Sequence, residues 1–104
     1  MTRLFLVSQG ERRIWVAALV DEDVWTYVAN TGKFHRNEGV REDYFSTNDA
    51  TYTDIGIAEA KRLIADGVGQ IDPEKNPDAL RDWQADGKAM DPEIVFASMA
   101  ADLA

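Results

Sequence analysis

The sequence predicts an α+β domain: a three- to four-stranded, mainly antiparallel sheet, opened by an N-terminal meander, with about three helices from the C-terminal half packed on one face. Three observations lead there. Short apolar runs with β-branched or alternating character fill the first third of the chain, helical spacing takes over after Gly56, and the early connections are short enough for hairpins. Strands followed by helices is the order of an α+β domain, and 104 residues suit a single one spanning 1–104.

The elements follow in order. "RLFLVS" (3–8) is an apolar run closed by the turn signal Gln9-Gly10-Glu11. "IWVAALV" (14–20) is too short for a confident helix and rich in strand-forming side chains. In "VWTYVA" (24–29), Val24, Thr26 and Val28 fall on one face and Trp25, Tyr27 and Ala29 on the other. "NTG" (30–32) reads as a turn, and "TYTDI" (51–55) as a fourth strand on a sheet edge. Ile57, Ala60, Leu63 and Ile64 then share one face of a helix that starts near Gly56 and stops at Gly67. "NPD" (76–78) supplies a cap, an N1 proline and a dipole-facing acid for a helix reaching about Asp86. "DPE" (91–93) repeats that grammar, and the last helix should face the sheet with Phe96, Met99, Ala100 and Leu103.

Composition narrows the function classes. With no cysteine, thiolate catalysis, disulfides and cysteine–zinc sites are excluded, and a reducing, cytoplasmic setting is expected. "IWVAALV" is too short for a signal peptide core or a membrane span, so no membrane role is expected. The net charge is −8, divided as −2 over residues 1–52 and −6 over residues 53–104. Such a surface repels phosphate backbones, so direct nucleic-acid binding is not expected, whereas a basic protein partner would be attracted.

Signals for chemistry are sparse. "DPEKNPD" (72–78) superficially resembles a calcium loop but has Pro77 where the sharp turn requires glycine. There is no phosphate-binding glycine loop, no nucleophile elbow around Ser8 or Ser46, and a single histidine, so no metal or cofactor is expected. Asp78, Asp82 and Asp86, spaced four apart, would share one helical face and could meet a basic partner. The stretch "YVANTGKFHRNEGVREDYF" (27–45) is the leading binding candidate. Lys33, His35, Arg36 and Arg41 make a locally basic island on an acidic chain, with Phe34 among them and Tyr44 just after. In this reading His35 and both arginines are at least partly exposed, while Tyr27 or a tryptophan and one of Phe34 and Phe45 anchor the segment. The expected function is a small protein-interaction or accessory module without catalysis. Alternatives are an acidic inhibitor or antitoxin-like protein that engages a basic partner, and a small enzyme using His35 with a carboxylate.

Overall fold

The computed structural model describes residues 1–103, which form an α+β fold. Strands β1 (Thr2–Gln9), β2 (Arg12–Val20), β3 (Asp23–Val28), β4 (Lys33–Arg36) and β5 (Thr51–Ile55) make one antiparallel sheet in the order β4-β3-β2-β1-β5. The expected meander is β1-β2-β3, and Thr51–Ile55 is an edge strand beside β1. The strand outside the sequence expectation is β4. Lys33–Arg36 carries two charged residues around two ring-bearing ones, which hides its alternation, yet it pairs with β3 in the register Thr26↔His35 and Tyr27↔Phe34.

After β4 come α1 (Glu38–Glu42), a π-helical turn (Asp43–Thr47), α2 (Ile57–Ala65), α3 (Pro77–Gln84) and α4 (Pro92–Leu103). The Asn37 side chain accepts the Val40 N–H at 3.1 Å and so starts α1. The Asp43 carboxylate organises the turn that follows, accepting the Tyr52 hydroxyl at 2.6 Å and the backbone N–H groups of Asp49 and Ala50 at 2.8 and 3.1 Å. Hydrogen bonds from Thr47, Tyr52 and Asp49 hold this carboxyl well below the usual range, and burial together with Asp43 pushes the Tyr52 phenol up.

The helices do not share one face of the sheet. Successive residues of β1 and β2 point to opposite sides, and both sides are apolar. Leu4, Val16, Ala18, Tyr27 and Phe34 pack with Ala60, Leu63, Val68, Val95 and Phe96 from α2, its C-terminal exit and α4. Phe5, Val7, Ala17, Leu19 and Val24 form a second cluster, covered by Val40, Tyr44, Ala50 and Tyr52. Trp83 of α3 joins this second side, meeting Trp15 with ring centroids 6.0 Å apart. A sheet with two apolar faces needs cover on both, which corrects the expectation of helices on one face only. The apolar face of α4 is also rotated: Val95 and Phe96 are buried and Met99 half-buried, while Ala100 and Leu103 are exposed.

The chain changes sides after α2 through Val68, Gly69 and Ile71. Ala29 N–H donates to Gly69 O at 3.0 Å, and Asn30 holds Ile71 by both its amide atoms. Gly69 is buried with φ +96°, and a Cβ there would run into the Tyr27 carbonyl oxygen. Gly69→Ala should therefore destabilise the protein by roughly 2–4 kcal/mol, combining backbone strain with that collision. The urea midpoint measures it, and Gly10→Ala, which has positive φ but open space around it, should cost clearly less.

Candidate functional site

Of the residues expected to form a basic island, Lys33 and Arg36 are exposed and Arg41 is partly exposed, whereas His35 is not. β4 alternates, so Phe34 turns into the first core with no exposure and His35 onto the opposite face, 1% exposed. His35 was expected to be partly exposed; strand pairing and the Trp83 ring, 6.0 Å away, bury it instead. Arg36 lies half-exposed between Asp23 and Glu38, at 3.3 and 2.9 Å. Arg41 donates to Glu22 O at 2.7 Å and stacks over Phe45 with 5.2 Å to its centroid. Lys33 is exposed, 4.0 Å from Asp91. Tyr44 is half-buried among Phe5, Phe45 and Tyr52. Of the expected anchors Tyr27 and Phe34 are buried, Trp15 and Trp25 are half-buried, and Phe45 faces solvent.

The acidic face is dispersed in the same way. Asp78 pairs with Arg81 within α3, and Asp82 is exposed on the same helix. Asp86 is not helical at all. α3 ends at Gln84, two residues before the expected limit, and the turn that follows carries Asp86 to His35.

What the fold assembles instead is a hydrogen-bonded line of three side chains. His35 Nδ1 lies 3.0 Å from Asp86 Oδ2, and His35 Nε2 lies 2.6 Å from Thr31 Oγ1. The residues come from separate places: Thr31 from the β3–β4 turn, His35 from β4, Asp86 from the exit of α3. Thr31 N–H and Gly32 N–H both reach Val28 O, at 3.2 and 2.9 Å, and Gly32 takes φ +71°, which fixes the turn. Asp86 is fixed by Lys88 N–H donating to Oδ1 at 2.9 Å. Close by, Phe34 and Met90 exchange backbone hydrogen bonds of 2.8 and 2.9 Å, so the segment after α3 is tied to β4 at two successive residues.

Burial by itself would raise the Asp86 carboxyl, but the His35 hydrogen bond, the Lys88 N–H and the nearby positive charge outweigh it and hold the group below its ordinary value. A carboxylate only accepts, so the hydrogen belongs on Nδ1, and the Nε2 of a neutral ring is left to accept from the Thr31 hydroxyl. This line borders a cavity of about 230 Å³ whose wall includes Lys33, Trp83, Gln84 and Ala89. Among the described residues no three His, Asp or Glu side chains converge as a metal site would require.

Sequence reading named His35 and Asp86 but for different surfaces, and it missed Thr31, Trp83 and Gln84. The available signal was Thr31 in a glycine turn four residues before the only histidine. No protein-family model matches the chain, and no curated protein or solved structure matches it at a significant level.

A folded-state value below the ordinary one makes Asp86 and Asp43 contributors to stability above about pH 4, the ordinary carboxylate value, with that contribution lost as pH falls from there through the depressed values. Urea midpoints should therefore drop on acidification below about pH 4, and more gently for Asp86→Asn or Asp43→Asn than for the wild type. At neutral pH, Asp86→Ala should cost about 1–3 kcal/mol, since it strands a buried imidazole donor.

Proposed function

We propose that this protein is a small interaction module that docks an extended segment of a partner protein against the free edge of β5. One observation supports it: the two sheet edges are treated differently. β4 is closed by Met90, whereas β5 pairs with β1 on one side and, among the described residues, with no backbone on the other. Open edges template further pairing, and folded proteins usually guard them with proline, lysine or a covering segment. β5 reads "TYTDI", with no proline, lysine or covering segment and a single charged residue, and Thr51, Thr53 and Asp54 are exposed. Addition of a strand to such an edge draws affinity from main-chain hydrogen bonds and specificity from alternate side chains. The net charge of −8 favours a partner segment carrying basic residues, which retains the basic-partner idea while moving it away from Asp78, Asp82 and Asp86.

No helix among the described residues is long and apolar enough to cross a membrane. The exposed Met1 and Leu103 lie along a groove with Leu4, Ile55 and Met99 beside β5, and would extend the contact area.

Affinity capture from the host, followed by amide hydrogen exchange on the recovered complex, tests the reading. The expected result is slowed exchange at residues 51–55, and affinity that falls as salt rises. A captured partner that protects the Arg41–Phe45 rim or the His35 cavity, with β5 exchange unchanged, would overturn it.

A further inference from the structure

The line Thr31–His35–Asp86 has the order that nucleophilic catalysis uses: a hydroxyl, an imidazole within hydrogen-bond reach of it, and a carboxylate that orients the imidazole. We propose that Thr31 is an acyl-accepting nucleophile, with His35 as its general base, acting on small esters that enter the cavity beside Trp83. This goes beyond the docking reading and shares no residue with β5.

Four features of the geometry support it. Thr31 is half-exposed at the cavity while His35 behind it is buried, so a ligand meets the hydroxyl first and the base is shielded from water. The carboxylate fixes the tautomer that leaves Nε2 free to take the hydroxyl proton. Lys33 backbone N–H donates to Thr31 Oγ1 at 3.3 Å, which favours negative character on that oxygen. Lys33 and Gln84 line the same cavity, and both carry donors of the kind that stabilise a developing oxyanion. The competing acceptor for the hydroxyl proton is Val28 O at 3.2 Å, a longer contact than the 2.6 Å to Nε2. A volume of about 230 Å³ lies below the range of pockets that hold drug-sized ligands, in keeping with a small ester.

The chemistry balances. Thr31 Oγ1 attacks the ester carbonyl carbon as its proton moves to His35 Nε2. The tetrahedral intermediate collapses, the bond to the leaving oxygen breaks, and that oxygen departs as an alcohol with the proton from Nε2. Water then attacks the Thr31 ester, giving its proton to Nε2, and collapse releases the carboxylic acid as the proton returns to Thr31 Oγ1. The net change is ester plus water to acid plus alcohol. Asp86 does not touch the substrate and is a positioning residue.

The full chain is treated with p-nitrophenyl acetate, p-nitrophenolate release is followed, and the acetylated peptides are mapped by mass spectrometry. The expected product is an acetyl group on Thr31 that hydroxylamine removes, as it removes esters but not lysine amides. Thr31→Val, which keeps the shape and lacks the hydroxyl, should slow acetylation by about tenfold or more, and Thr31→Ser should retain it within a few-fold. Asp86→Asn should lower the rate and change its pH profile while the protein remains folded by circular dichroism. Acetyl groups found only as amides on lysines, or equal phenolate release from Thr31→Val, would overturn the proposal and leave the three residues as a structural latch.

Discussion

Both faces of the central hairpin are apolar, and the rest of the molecule is arranged around that fact. Along β1 the side chains Leu4 and Leu6 go one way and Phe5 and Val7 the other; along β2 the same holds for Val16 and Ala18 against Ala17 and Leu19. Covering only one face would leave the other cluster in water, at a cost of about 25 cal/mol for each Å² of apolar surface. The chain therefore has to supply two covers. α2 and α4 form one; the short α1, the π-helical turn and Trp83 form the other.

Specific polar contacts hold the chain at each crossing between the faces. The segment after α2 passes the end of β3 and is held there by Asn30 and by the close approach of Gly69 to Tyr27. The segment after α3 returns past β4, pairing Met90 with Phe34 and Asp86 with His35. Buried polar groups must find partners, and at this crossing they find one another. A cavity with a hydroxyl, an imidazole and a carboxylate in line is thus a product of routing the chain around one sheet edge. At the opposite edge β5 pairs with β1 and, among the described residues, with no other backbone.

Charge is handled locally. Arg3 pairs with Asp54, Arg36 with Asp23 and Glu38, Arg81 with Asp78, and each pair is solvent-exposed enough to contribute little on its own. Pairing of Arg36 with two carboxylates and burial of His35 leave the basic stretch with Lys33, Arg36 and Arg41 at the surface and much of its charge offset. The acidic character of the surface is what survives.

The α+β class, the β1–β2–β3 meander, the edge position of Thr51–Ile55 and the starts of the later helices were all written in local pattern. Alternation, helical spacing, and proline and glycine punctuation act over a few residues, and a sequence displays them directly. Lys33–Arg36 escaped because its strand character comes from pairing with β3 rather than from its own composition. The burial of His35 escaped for the same reason, since a histidine between arginine and phenylalanine looks solvated until a neighbouring strand fixes which way it points. Asp86 carried an equally misleading signal: its spacing from Asp78 and Asp82 suggested one helical face, but α3 ends at Gln84 and Asp86 bonds a residue 51 positions away. Contacts at that separation leave no periodic trace in a single sequence. Local propensity determined the elements, and only tertiary packing decided which side chains share a site.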